Sequence, residues 1–255
     1  MEFSLFQLAN IFLVVFLAIL LFRFLWMTFL NTFNQPAVWK EARKEKQVSK
    51  RLLKSERFYP DKVRFYTWWI QVERLKTEKI EGDFAELGVY KGNSARILHQ
   101  MDPSRKFHLL DTFEGFAERD LEEEEGKGKA ATYTSRDFAD TSLQKVIRKI
   151  GGNNNIRVHQ GYFPDSVTGI KEERFALVNI DADLYNPTKA GLEFFYPRMN
   201  PGGVIFIHDY NKKWPGVVKA VDDFMNGIFE VPHLIPDRDG TVLVIKRQKK
   251  SLKPL

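Results

Sequence analysis

The sequence has no cysteine among its 255 residues. That excludes thiolate nucleophiles, zinc-thiolate sites and disulfide stapling, and it leaves the redox compartment unreadable from thiols. There is no internal repeat and no Pro/Gly/Ser-rich linker, so the chain is neither a solenoid nor a string of tethered modules. The glycine-bearing turn "ELGVYKGNSA" is neither the G-x-G-x-x-G of dinucleotide binders nor the G-x-x-x-x-G-K-[ST] that cradles phosphates. Charge is missing altogether from Phe3 to Phe22.

What is present is enough for a folded protein. Twenty-two Phe and five Trp are available for burial, and the length suits one sizeable core plus an appended segment. The uncharged stretch reads as a helix long enough for one bilayer core. A cleavable signal peptide is the rival, but Glu2 precedes the run where Lys or Arg is usual, and no small-x-small site follows. A buried core helix is the other alternative. Arg23 and a basic segment follow the run, so the positive-inside bias places the bulk of the chain in the cytoplasm, behind a single-pass anchor at residues 1–30.

The formal charge of +6 is unevenly spread. Residues 40–54 hold seven Lys or Arg against two Glu, and residues 246–253 hold five more basic side chains. The remainder is slightly acidic, which argues against nucleic acid as a partner. The basic segment reads as a clamp on anionic lipid headgroups beside the span, or as a solvated helix face. Residues 31–80 form a helical, basic connector in which "FYTWWIQVERLKTEKI" carries apolar positions at helical spacing.

From residue 81 to about 250 apolar strand-like runs alternate with amphipathic helical segments, the pattern of an α/β fold with a parallel sheet covered on both faces. The strand candidates are "DFAELGVY", "KFHLLDTF", "NIRVHQGYF", "FALVNIDADLY", "GGVIFIHDY" and two final strands around the turn "DRDG". Ligands of such sheets bind beyond the carboxyl ends of the strands. Two apolar runs stop there on polar pairs, one on Asp181 and Asp183, the other on His208 and Asp209. At the first strand end, Gly88 and Gly92 bracket a tight turn into a helix, with Glu86 before it and Asn93 or Ser94 as a cap. Asp111 ends the second strand, where an acid takes ribose hydroxyls. A glycine turn and a ribose acid without a phosphate loop suit a nucleoside cofactor lacking phosphates, S-adenosylmethionine.

The segments "GDFAELGVYKGNSARIL", "LLDTFEGF", "HQGYFPDSV" and "NIDADLYNPTKAGLEFFYPRMNPGGVIFIHDYNKKWPGVVKAVDDF" together resemble the macrocin O-methyltransferase family, in order and over roughly residues 60–247. The resemblance implies a Rossmann-like class I methyltransferase sheet, mostly parallel, with seven strands and the last one antiparallel. It implies metal-dependent methylation of sugar hydroxyls with S-adenosylmethionine, Gly161 and Tyr162 near the adenine, and a tendency to form homo-oligomers. The metal ligands it implies are Asp181, His208 and Asp209, with Asp181 and His208 at the catalytic centre. His208 departs from the family's usual Asp. A neutral imidazole there weakens the case for magnesium, admits manganese or a softer ion, and leaves open a site without metal.

A cation polarises the acceptor hydroxyl and a carboxylate then takes its proton, which gives converging acids a purpose. Asp183 reads alternatively as a helix cap, His208 as a core histidine and Tyr162 as packing. Tyr185, Tyr210 and Trp214 are candidates to stack on a sugar ring or to fill the core. The stretch from Glu118 to Ser142 carries an acidic run and reads as a lid over acceptor and cofactor, or as a surface loop. As a lid it argues against polyphosphate acceptors. The expected function is a membrane-anchored O-methyltransferase acting on a sugar, glycan or natural-product hydroxyl, with a lipid-linked or surface-bound glycan as the acceptor the anchor suggests. The alternative is a catalytically inactive cofactor-binding scaffold at the membrane. A nucleotide-sugar oxidoreductase is disfavoured by the missing dinucleotide loop.

Overall fold

The computed structural model describes residues 4–33, 35–124, 128–151, 154–167, 169–170 and 172–247. The chain divides into two compact units, residues 1–48 and 49–255. The division falls inside the expected connector, whose later helices belong to the second unit.

The first unit contains α1 (Leu5–Phe33) and α2 (Ala37–Lys44). Within α1, Leu5–Thr28 has a mean hydropathy of 2.7, long and apolar enough to cross a membrane. Its 24 residues span about 36 Å at the helical rise. The window is not buried, and Phe12, Leu17, Leu21 and Phe22 are all exposed. In α2 the last turn carries Arg43 and Lys44, favourable charges at a helix carboxyl end.

The second unit opens with α3 (Lys50–Phe58), whose N-cap Ser49 accepts from Leu52 N, and α4 (Lys62–Thr77), whose N-cap Asp61 accepts from Arg64 N. Each cap satisfies an otherwise orphaned amide. Then follow β1 (Asp83–Leu87), α5 (Asn93–Met101), β2 (Phe107–Asp111), α6 (Glu118–Glu122), α7 (Leu143–Ile150), β3 (Ile156–Gln160), β4 (Phe175–Ile180), α8 (Tyr185–Phe195), β5 (Met199–Ile207), α9 (Pro215–Met225), β6 (His233–Ile235) and β7 (Thr241–Ile245).

Seven strands among the described residues form one sheet in the order β3-β2-β1-β4-β5-β7-β6. The pairings from β3 through β5 are parallel, while β7 runs antiparallel to β5 and to β6. This is the expected Rossmann-like sheet with its reversed last strand. All six residues of β4 are buried, the mark of a central strand covered on both faces. Helices α3, α4, α5 and α7 gather on one face, and α8 and α9 pack together on the other. Leu87 pairs with Ile180 and with Leu110, and Ile180 with Ile207. The loops after β1, β2, β4 and β5 therefore open on the same edge, where ligands of such sheets bind.

Candidate active site

The turn after β1 is built around glycine and one carboxylate. Gly88 has φ +84°, and a Cβ placed on it would lie 1.9 Å from the Asp181 carbonyl oxygen. No other residue fits where β1 and the β4 loop approach so closely. Asp111, at the end of β2, holds the turn down. Its Oδ2 accepts from Val89 N at 2.7 Å and Tyr90 N at 2.8 Å, and its Oδ1 accepts from Phe113 N at 2.6 Å. These bonds make it the anchor of the glycine turn, and it also lines the adjoining cavity. Sequence reasoning expected it to take ribose hydroxyls and did not foresee these bonds, because backbone partners have no side-chain signature.

Glu86 is placed differently from expectation. Strand alternation turns it away from the cavity, with no exposure to solvent, and its Oε1 accepts from Asn179 Nδ2 at 2.8 Å. Burial lifts its carboxyl to about 8, despite the Ser94 hydroxyl and the Asn179 amide beside it. It supports the turn from beneath instead of lining the pocket. Gly88, Ser94, Gly161 and Tyr162 do line the cavity. Gly92 closes the turn as the left-handed N-cap of α5. Tyr162 donates to Asp120 Oδ1 at 2.8 Å, and the Arg119 guanidinium covers its ring.

At the ends of β4 and β5, Asp181, Asp183 and Asp209 offer oxygens that all lie within 4.8 Å of one another. Asp183 and Asp209 adopt φ of +62° and +61°, a left-handed conformation that aspartate tolerates better than most residues. Leu184, not Asp183, is the N-cap of α8, so the third acid stands with the other two. Burial, then the charge of Asp209, raises Asp181 to about 7, with Arg64 as an opposing influence. Burial also raises Asp209. Three crowded carboxylates are an oxygen donor set of the kind that hard divalent cations take, so the residues present fit such an ion.

His208 does not join them. Its Nδ1 lies 2.9 Å from Thr241 Oγ1 and its Nε2 2.6 Å from Asn179 Oδ1. Both ring nitrogens are thus engaged inside the sheet, and the ring meets Trp68 of α4 edge-on. Burial holds its pKa well below the ordinary value. His208, expected as ligand and catalytic group, is placed with its ring among these partners beside α4, while the left-handed backbone at Asp209 brings the next residue to the cavity. His208 belongs to a buried polar chain running Glu86, Asn179, His208, Thr241, Asp237 and Arg64. Its length was invisible in sequence, since β1, β4, β7, α4 and the loops after β5 and β6 contribute one member each.

Between the turn and the carboxylates lies a cavity of about 720 Å³, within the range of small-molecule sites. Trp214 lines it, whereas Tyr185 and Tyr210 point their hydroxyls at Asp223 and Asp222 of α9. Tyr59, Tyr133 and Phe138 line it as well, none of them singled out by a motif. The stretch after β2 does roof the cavity, through Phe116, Ala117, Asp120, Tyr133 and Phe138. Several of its acids are engaged with protein. Asp120 accepts from Tyr162, Glu123 accepts from Asn186 at 2.9 Å, and buried Glu124 accepts from Tyr185 N at 2.8 Å.

Residues 62–236 match the family described as macrocin-O-methyltransferase (TylF). The 8-demethyl-8-(2,3-dimethoxy-alpha-L-rhamnosyl)-tetracenomycin-C 4'-O-methyltransferase of Streptomyces olivaceus is 27% identical over 198 residues, covering 72% of this chain and 73% of its own. The demethyldecarbamoylnovobiocin O-methyltransferase of Streptomyces niveus is 27% identical over 179 residues, 66% of this chain and 68% of its own. The solved structure of the O-methyltransferase NovP shares the fold, with a TM-score of 0.63 and 24% identity over 73% of this chain and 81% of that one. The glycine turn, the cavity and the carboxylates thus sit on a sheet of known kind, and the chain belongs to the macrocin-O-methyltransferase (TylF) family as an S-adenosylmethionine-dependent O-methyltransferase.

Proposed function

We propose that this protein is a membrane-anchored, divalent-cation-dependent O-methyltransferase whose acceptor is a hydroxyl of a sugar, a glycan or a glycosylated natural product. The observation that carries the reading is the convergence of Asp181, Asp183 and Asp209 beside a cavity that also takes in the Gly88 turn and Asp111. The relatives named as O-methyltransferases of a rhamnosyl-tetracenomycin and of demethyldecarbamoylnovobiocin support the acceptor class. When bound, S-adenosylmethionine supplies an already activated methyl group and the divalent cation polarises the acceptor hydroxyl.

The turn from Gly88 to Ser94, with Asp111, Gly161 and Tyr162, holds the cofactor. Asp181, Asp183 and Asp209 hold the cation. A carboxylate oxygen of the triad left free by the cation would accept the proton that the acceptor hydroxyl gives up. Trp214, Tyr133 and the stretch after β2 exclude water and orient the acceptor. The exposed apolar face of α1 supports the anchor, because a soluble protein would bury so long an apolar surface. The test is calorimetric titration of full-length protein with S-adenosylmethionine, with and without manganese or magnesium, followed by methyl transfer to a panel of glycosides. Cofactor binding with metal-dependent turnover supports the reading. Cofactor binding with turnover indifferent to chelators would remove the cation from it.

A further inference from the structure

The cations around the cavity fall into two groups. Lys91 beside the glycine turn is paired with Asp140, and Arg64 behind the carboxylates bonds Asp237 at 2.8 Å and Asp239 at 3.3 Å. Lys212, Lys213 and Arg238 also line the cavity and are exposed, yet among the described residues none of their charged groups has a carboxylate partner. They come from two loops that are stitched together. Tyr210 N donates to Gly240 O at 2.8 Å, and Asn211 Nδ2 bonds Asp239 O. Arg238 is fixed further, its backbone N–H donating to the buried Asp61 at 2.8 Å. Main chain held in place beneath three uncommitted cations is an arrangement for receiving an anion.

Resting on the methyltransferase reading above, we infer that the acceptor is a phosphate-bearing glycoside, its phosphate held by Lys212, Lys213 and Arg238 while the hydroxyl to be methylated lies at Asp181, Asp183 and Asp209. Asp209 of the triad and Lys212 belong to one loop, and Asn211 of that loop bonds the loop that carries Arg238. A glycoside reaching from the triad to the rim therefore presents its sugar to the one and its phosphate to the other. A phosphate-bearing acceptor runs against the expectation that an acidic lid disfavours polyphosphate acceptors. Asp120, Glu123 and Glu124 are spent on protein donors, while the cations have no such partner. The phosphate has two sources, a lipid-linked sugar at the membrane or a soluble nucleotide-linked sugar.

The experiment uses full-length protein in detergent micelles with S-adenosylhomocysteine bound, metal removed by chelation, and inorganic pyrophosphate as the probe. Lys212→Ala/Lys213→Ala/Arg238→Ala is expected to weaken pyrophosphate binding by about tenfold or more and to flatten its salt dependence. The charge-preserving Lys212→Arg/Lys213→Arg/Arg238→Lys is expected to stay within about threefold of wild type. S-adenosylhomocysteine affinity, measured in the same samples, reports that each variant is folded. Unchanged pyrophosphate affinity in the alanine variant, or no binding to wild type, overturns the inference and leaves the methyltransferase reading standing. Failure of wild type to bind S-adenosylhomocysteine overturns both. Labelled methyl transfer to a membrane lipid extract and to nucleotide-linked hexoses then separates the sources. Label in acid-labile lipid supports the first, label in the aqueous nucleotide fraction supports the second, and label confined to phosphate-free glycosides refutes the proposal.

Discussion

Replacing Glu86 by Gln isolates what it costs to keep an acid in the middle of the sheet. Glu86 is fully buried, and its amide partner Asn179 also serves His208. Burial favours the neutral acid, so the folded chain holds this proton more tightly than the unfolded chain does. Between 4.5 and about 8 the unfolded chain has released the proton and the folded one has not, so stability falls as pH rises through that window. The contribution is complete below the lower value and gone above the upper one. At about 1.4 kcal/mol per pH unit, moving from 4.5 to about 8 corresponds to roughly 5 kcal/mol. Glutamine keeps the shape and an acceptor oxygen for Asn179 but has no proton to lose. Urea unfolding of full-length wild type and Glu86→Gln in detergent, at pH of about 5, 7 and 9, measures the difference. The variant should gain at least about 2 kcal/mol on wild type between the two ends of that range. Parallel stability curves would refute the assignment of a buried, proton-holding Glu86.

Asp181→Asn should cut turnover by about a hundredfold or more while leaving S-adenosylmethionine affinity within about threefold, because it removes a charge from the proposed cation site and none from the glycine turn proposed to hold the cofactor; steady-state kinetics and calorimetry read the two. His208→Ala should cost about 2–4 kcal/mol of stability in urea unfolding, since it strands Thr241 and Asn179 in the interior and leaves a void. Manganese affinity in that variant should match wild type, and a changed metal preference would return His208 to the ligand set. Gly88→Ala places a Cβ against the Asp181 carbonyl and should abolish cofactor binding, checked by the same calorimetry. The protein should remain in the membrane pellet after alkaline carbonate washing with its N-terminal residues intact by mass spectrometry; release, or loss of the first thirty residues, would remove the anchor.

Much of the fold is legible because burial leaves a periodic trace. The unbroken apolar run of β4 announces a strand covered on both faces, and the segments between strands carry the 3.6-residue spacing of α5, α8 and α9. Helix α4 inside the basic connector is equally plain, with Phe65, Trp68, Trp69 and Val72 all buried. The strand-end acids Asp181 and Asp209 and the glycines at 88 and 92 are legible for another reason. Strand termini in a parallel sheet share an edge, so polar residues stopping an apolar run converge whatever the details of packing.

What sequence alone determined, then, is the order of elements, the edge on which the chemistry gathers and the apolar N-terminal helix, all of them consequences of local periodicity. Tertiary structure decided which way each side chain at that edge faces. His208 and Asp209 are adjacent in the chain, yet one enters a buried hydrogen-bonded chain and the other the carboxylate triad. Asp183 joins that triad through a left-handed backbone turn, Glu86 drops beneath the glycine loop, and Asp111 spends its oxygens on three backbone amides. These outcomes depend on Thr241, Asn179 and the loops around Tyr90 and Phe113, which come close only when the sheet is assembled. Partnership across strands leaves no mark on either strand by itself, and that is why it could be read only from the folded chain.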